Sequence, residues 1–123
     1  MVDFLALAQT YKTPLYVYDF DIISEQFMLL KEAFKAKKSL ICFAAKANSN
    51  LSVLKHMASL GAGCDCVSIN EVKRALYVGI PKYKIIFSGV GKQDDEIETA
   101  LKEDILMFNL ESEEEMKRVE AIA

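Results

Sequence analysis

Residues 40–50 read LICFAAKANSN, an apolar run that ends at Lys46 and is followed at once by turn-forming residues. The run has the length and composition of a buried strand. Because alternate residues of a strand point to opposite faces, Ala44 and Lys46 should share one face. A lysine held at a strand end can lose its proton through desolvation and condense with an aldehyde as a Schiff base. The alternative is a strand-terminal lysine whose ammonium group simply reaches water.

The same order of strand and then helix recurs along the chain. Predicted strands are centred near residues 42, 66, 86 and 107, and each is followed by an amphipathic helix. Such alternation is typical of parallel strands joined by helical crossovers. It predicts an α/β fold, either an open doubly wound sheet or a partial (β/α)8 TIM-like barrel. A complete barrel needs about 250 residues, so the chain would form its first half, and we interpret it as the front part of a longer protein.

Local signals predict where the elements begin. Residues 14–18, rich in β-forming types, predict a short N-terminal strand, and Asp21 is predicted to cap the first helix. Two Ser-x-x-Glu capping boxes, at 68–71 and 112–115, predict two later helix starts. His56, beside Lys55 on the polar side of its helix, is predicted to be solvated.

Composition and charge exclude several classes of protein. The 123 residues are 52% hydrophobic and 27% charged, which suits one modest globular domain. A net charge of -3 does not indicate a basic surface that would bind nucleic acid or an anionic membrane. No apolar run is long enough to span a bilayer, and the start has no basic region of a secretory signal. The three cysteines lack metal-type spacing and predict free thiols in a reducing compartment, so we expect a cytoplasmic protein without a metal site.

Asp65 is the second candidate site residue. If the sheet is parallel and sequential, Asp65 and Lys46 lie near the ends of neighbouring strands, where active sites of barrels collect. A carboxylate at that place can hold a protonated imine or orient the amine, although it can also simply bond nearby backbone. Residues 88–92, SGVGK, lack the spacing of a P-loop but can form a loop whose backbone approaches a ligand.

Four segments in a fixed order resemble the N-terminal part of the diaminopimelate decarboxylase family. This family belongs to the fold type III pyridoxal-phosphate enzymes. The segments are TPLYVYD at 13–19, FAAKAN at 43–48, GCDCVSINE at 63–71 and IIFSGVGK at 85–92. Their ordered series is more specific than any one of them.

The resemblance implies a cofactor, a reaction and an assembly. Lys46 would carry pyridoxal 5'-phosphate as a Schiff base, with Ala44 and Asp65 near the cofactor ring. The reaction would be decarboxylation of the amino acid meso-2,6-diaminopimelate to L-lysine, in a homodimer. The alternatives are another fold type III decarboxylase, acting on ornithine, arginine or carboxynorspermidine, or a non-catalytic truncated α/β fragment.

The resemblance also implies a division into domains. Residues 1–20 would form a segment and strand that join a β-domain, and residues 21–123 would form the first half of the cofactor-binding α/β barrel. The phosphate-binding loop and several catalytic residues of the family lie further along the chain. The 123 residues alone are therefore expected to be inactive.

Overall fold

The computed structural model describes residues 2–34 and 38–123 and alternates helices with short strands. Two short 3-10 turns, Ala45–Ala47 and Lys82–Lys84, follow the first strand and precede the third. In chain order the elements are α1 (Phe4–Tyr11), α2 (Phe20–Ala33), β1 (Cys42–Ala44), α3 (Leu51–Ser59), β2 (Gly63–Cys66), α4 (Ile69–Tyr77), β3 (Ile85–Phe87), α5 (Asp94–Glu103), β4 (Met107–Phe108) and α6 (Glu113–Ile122).

The four strands form one parallel sheet in the order β1-β2-β3-β4. Asp65 of β2 is opposite Ala44 of β1 on one side and Ile86 of β3 on the other. Ile86 is in turn opposite Met107 of β4. A parallel sheet whose strands follow chain order, with helices as crossovers, is how a (β/α) barrel begins. The predicted fold class, α/β with the first half of a barrel, is confirmed.

The two faces of the sheet have different surroundings. One face is covered by helices, and its core includes Leu54, Cys64, Cys66, Val72, Ile85, Phe87 and Ala100, each with an exposed fraction of 0%. Residues that alternate with these along the strands point the other way. We call this other side the open face; it carries Ala44, Asp65 and Ile86, which are half-buried, and Met107, which is exposed. Any ligand that contacts the sheet itself must approach from the open face.

Gly63 permits close packing at the start of β2. A Cβ atom at this position would lie 2.4 Å from the Lys84 carbonyl oxygen and 2.7 Å from Cys42 Sγ. No side chain fits there unless the neighbouring strands move apart. The absence of a side chain therefore sets the spacing of β2 against β1 and β3.

The N-terminal segment differs from the predictions. Helix α1, capped by Asp3 through a 2.9 Å bond from the Ala6 N–H, has no counterpart among the predicted elements. It buries no residue. Residues 14–18 are in neither helix nor strand, because no strand of the described ranges lies beside them. Asp19, two residues before the predicted Asp21, caps α2 by accepting a hydrogen bond from the Asp21 N–H at 3.0 Å.

His56 is not solvated as predicted. It is half-buried between α2 and α3, where its Nε2 lies 2.8 Å from Ser24 Oγ. Its ring stacks on Phe20 with the ring centroids 4.5 Å apart. The polar neighbour Lys55 suggested a solvated histidine, but the residues that pack on His56 come from α2, which the local sequence around His56 does not reveal.

Candidate functional site

Lys46 lies immediately after β1, in the 3-10 turn Ala45–Ala47. Ala45 is fully buried in the helix-side core and fixes the turn to the sheet. Lys46 itself is exposed and forms no ion pair within residues 2–34 and 38–123. The amine is therefore carried by an anchored turn and is available to a ligand.

The segment after Lys46 is held by three hydrogen bonds. The Asn48 side chain accepts from the Asn50 N–H at 3.0 Å, and the Asn50 side chain caps α3 by accepting from the Ser52 N–H at 2.9 Å. Arg74 of α4 donates to the Ser49 carbonyl at 3.1 Å. Lys46 is thus placed between a strand and a capped helix, both of defined geometry.

Asp65 lies on the open face of β2 and is opposite Ala44 of the neighbouring strand β1. Ala44 in turn lies two residues before Lys46. Neighbouring strands run about 4.8 Å apart, so the predicted site residues Ala44, Lys46 and Asp65 share one corner of the sheet. Among residues 2–34 and 38–123, the Asp65 carboxylate accepts no hydrogen bond from backbone. Its Oδ1 accepts a 2.5 Å hydrogen bond from Ser88 Oγ, and Asn109 Nδ2 donates to the same Ser88 oxygen at 2.9 Å. We call Asp65, Ser88 and Asn109 the polar chain.

Lys92 is a buried cation whose hydrogen bonds all go to other groups of the protein. The side chain is 1% exposed, and its Nζ donates to the carbonyls of Gly89 and Asn109 at 2.7 and 2.9 Å and to Glu115 Oε1 at 2.7 Å. Because all three donors are used, this ammonium cannot also bind a ligand anion. The glycine-containing loop 88–92, for which a ligand-approaching role is one prediction, is therefore fixed by Lys92.

Glu115, the partner of Lys92, is held in its ionised form. Burial acts to raise the pKa of this carboxyl, but hydrogen bonds from Lys92 and from the Glu111 N–H, together with the Lys92 charge, outweigh burial. The pKa of Glu115 consequently lies below its ordinary value of 4.5. The pair joins the start of α6 to the loop after β3.

The two predicted capping boxes form with one difference. Ser68 and Ser112 accept from the N–H groups of Glu71 and Glu115, as predicted. Each glutamate, however, accepts from the N–H of the residue before the serine, at 2.8 Å for Glu71 and Val67. Glu71 is accounted for by this role, as the sequence indicates.

Ser88, Asn109 and Lys92 were not among the predicted site residues. Ser88 and Asn109 directly follow β3 and β4, at the same end of the sheet as Lys46. Polar residues at strand ends were the reason for choosing Lys46 and Asp65, and the same criterion could have identified Ser88 and Asn109. Lys92 carries no such signal, because its three acceptors come from separate segments.

The side chains at this corner suit the reactive end of pyridoxal phosphate. Lys46 offers a primary amine for an aldehyde, and Asp65 offers a carboxylate for a cationic or hydrogen-bond-donating group. Within the part of the chain that the structure covers, no three His, Cys, Asp or Glu residues are grouped as metal ligands. No helix there is both long and apolar enough to cross a bilayer.

Comparison with known proteins places the chain in a family. The family model for the pyridoxal-binding domain of pyridoxal-dependent decarboxylases matches residues 20–123. The diaminopimelate decarboxylases of Helicobacter pylori (strain J99) and Campylobacter jejuni are 60% and 58% identical, over 100% and 99% of this chain. The chain spans 30% of the length of each of these relatives.

Solved structures agree with this assignment. The crystal structure of Helicobacter pylori diaminopimelate decarboxylase complexed with L-lysine superposes with a TM-score of 0.92 at 57% identity, covering 98% of this chain and 30% of that one. The lysine/ornithine decarboxylase of Vibrio vulnificus complexed with putrescine has a TM-score of 0.85 at 25% identity, covering 95% of this chain and 32% of that one. The match to the pyridoxal-binding domain also confirms the predicted cofactor. The chain belongs to the family of pyridoxal-dependent decarboxylases, and its residues 20–123 match the pyridoxal-binding domain of that family.

Proposed function

We propose that this chain is the N-terminal, cofactor-binding part of a diaminopimelate decarboxylase, which converts meso-2,6-diaminopimelate to L-lysine. Lys46 binds pyridoxal phosphate covalently, and Ala44 and Asp65 lie beside the cofactor ring. The observation that carries the proposal is the position of Lys46, an exposed amine on an anchored turn two residues after Ala44, which pairs with Asp65. The 60% identity to the Helicobacter pylori enzyme over the full chain supports the choice of substrate.

Each residue of the site has a separate role. Lys46 attaches the cofactor and, once substrate has displaced it, can hold or return a proton at its Nζ. Ala44, the small residue opposite Asp65, leaves room for a planar ring on the open face. Asp65 accepts a hydrogen bond or balances positive charge on the bound group. Pyridoxal phosphate, when bound, supplies the ring that accepts the electron pair released as the substrate carboxylate leaves.

The substrate alternatives are less well supported. Residues that would select ornithine, arginine or carboxynorspermidine lie outside this chain, so the comparison must be made by overall similarity. The lysine/ornithine decarboxylase is 25% identical with a TM-score of 0.85, against 57% and 0.92 for the diaminopimelate decarboxylase. This difference favours diaminopimelate.

The assembly and organisation form part of the same proposal. Residues 21–123 make the first half of an eight-stranded barrel, and residues 1–20 join a separate β-domain, where 14–18 would find a strand partner. Two subunits form a homodimer with shared active sites in the cytoplasm. The outer edges of β1 and β4, which no strand of the described residues pairs with, and the exposed Met107 support completion of the barrel by further strands.

The test is covalent capture of the cofactor. Pyridoxal phosphate is added to the chain, the product is reduced with borohydride, and the modified peptide is identified by mass spectrometry. The same experiment is run on a chimaera in which this chain replaces the matching 30% of the Helicobacter pylori enzyme. The chimaera should be labelled at Lys46 and should release lysine from meso-diaminopimelate, whereas the chain alone should be labelled weakly and show no activity.

Two variants separate a specific site from general lysine reactivity. Lys46→Ala should abolish both the label and the activity of the chimaera. Lys73→Ala removes another exposed lysine, on α4, and should leave both unchanged. Label spread evenly over the lysines, or full activity in the Lys46→Ala chimaera, would show that the proposed function is wrong.

A further inference from the structure

We propose that Ser88 and Asn109 are positioning residues that orient the Asp65 carboxylate toward the group bound at Lys46. This inference rests on the proposed function and extends it to two residues that carry no obvious catalytic chemistry. They belong to the polar chain defined above, which crosses three neighbouring strands at one end of the sheet.

The hydrogen bonds of the polar chain have one direction. Asn109 Nδ2 is a donor only, so at 2.9 Å it occupies a lone pair of Ser88 Oγ. The Ser88 hydroxyl proton is then directed to Asp65 Oδ1 at 2.5 Å. An ionised carboxylate accepts hydrogen bonds and cannot donate them, so this order suits a charged Asp65. Asn109 thus fixes the Ser88 hydroxyl, and Ser88 fixes one oxygen of Asp65.

The backbone under the polar chain is also fixed. The Ser88 N–H donates to the Cys66 carbonyl at 2.7 Å, and the Asn109 N–H donates to the Phe87 carbonyl at 2.9 Å. Lys92 holds the Asn109 carbonyl at 2.9 Å from inside the fold. Ser88 is 9% exposed, so neither its backbone nor its hydroxyl is free to reorient. Such support is what an active-site group needs to stay in one orientation.

The second oxygen of Asp65 is left available. Across residues 2–34 and 38–123, Oδ1 of the Asp65 carboxylate has a hydrogen-bond partner and Oδ2 has none. No buried side-chain oxygen or nitrogen there lacks a partner, so Oδ2 must reach the surface. Because Asp65 alternates with the buried Cys64 and Cys66, that surface is the open face, beside Ala44. Ser88 and Asn109 therefore leave Oδ2 turned toward the corner that Lys46 occupies.

The experiment is a double-mutant cycle on the chimaera with the Helicobacter pylori enzyme. The dissociation constant of pyridoxal phosphate is measured by absorbance, and kcat and KM by lysine release. Ser88→Ala should weaken cofactor binding or lower kcat by about tenfold, the effect of one hydrogen bond to a charged group. Ser88→Thr keeps the hydroxyl and should restore most of the loss. Ser39→Ala removes an exposed serine at the opposite end of β1 and should change neither quantity.

The cycle distinguishes positioning from a purely structural role. If Ser88 acts through Asp65, the Asp65→Ala/Ser88→Ala double variant should be no worse than Asp65→Ala alone. Additive losses would overturn the inference. Asn109→Ala changes an exposed side chain and gives the same test if Ser88→Ala does not fold: its loss should likewise vanish in the Asp65→Ala background.

Failure of this inference differs from failure of the proposed function. Loss of the label in Lys46→Ala and an effect of Asp65→Ala, with no effect of Ser88→Ala or Asn109→Ala, would refute the inference alone. An Asp65→Ala chimaera that binds cofactor and turns over normally would refute the role of Asp65 itself. A chimaera with no label at Lys46 would refute the proposed function.

Discussion

Replacing Lys92 by methionine should destabilise the fold more than any other lysine change of similar size. The substitution keeps the length of the side chain but removes the ammonium that serves Gly89, Asn109 and Glu115. Removing one partner of a buried ion pair costs about 3–5 kcal/mol, because the other charge stays buried and unpaired. Glu115 is 12% exposed, so water can reach part of it, and we expect a loss near the lower figure, about 3 kcal/mol.

The chain supplies a matched control for this prediction. Lys102 forms a 2.7 Å pair with Glu98, but the two side chains are 72% and 57% exposed. Lys102→Met should cost no more than about 0.5 kcal/mol, the value of an exposed helical pair. Urea unfolding at neutral pH, followed by far-ultraviolet circular dichroism, gives both free energies of unfolding. If the two variants differ by less than about 1 kcal/mol, burial of Lys92 does not have the energetic importance that we assign to it.

Three further predictions concern stability. The pKa of the Glu115 carboxyl is lowered in the folded protein, so its ionisation stabilises the fold. This stabilisation is complete above the unfolded pKa of 4.5 and is lost as the pH falls through the lower folded pKa. Urea unfolding measured from pH 7 to pH 3 should show this loss of stability, and Glu115→Gln should abolish it. Gly63→Ala should cost about 1–3 kcal/mol or more, because its Cβ would lie 2.4 Å from a carbonyl oxygen; a thermal midpoint equal to that of the parent would contradict this. Glu96→Ala should cost about 1–3 kcal/mol in urea unfolding, since Ile69 and Gln93 lose the carboxylate that accepts their N–H groups at 3.0 and 3.1 Å, whereas Glu96→Gln should retain about half.

The sequence predicts the regular part of the fold well, because each βα unit carries its own signals. The alternation of apolar runs with amphipathic helices placed all four strands of the sheet, while their sequential order was one of two alternatives. The N-terminal 20 residues were predicted less well, since α1 buries nothing and residues 14–18 have no strand to pair with. The cap of α2 was misplaced by two residues, because Asp19 and Asp21 are equally good capping types and only the geometry chooses between them.

Part of the candidate site also follows from signals carried by single βα units. Lys46 follows a strand within a specific motif, and topology alone then brings Asp65 beside it. The bonds from Ser88 to Asp65 and from Lys92 to Glu115 each join residues 23 positions apart. Such pairings depend on side-chain directions that no local pattern records.

The sequential order of the strands has a consequence for biosynthesis. Each of the strands β2, β3 and β4 pairs with the strand made just before it, so no pairing among the four described strands waits for a distant segment. Low sequence separation between contacting elements favours rapid folding, and chains fold from the N-terminus as they leave the ribosome. Nascent chains of increasing length should therefore become resistant to protease in steps of one βα unit, with the newest strand always the most vulnerable to cleavage.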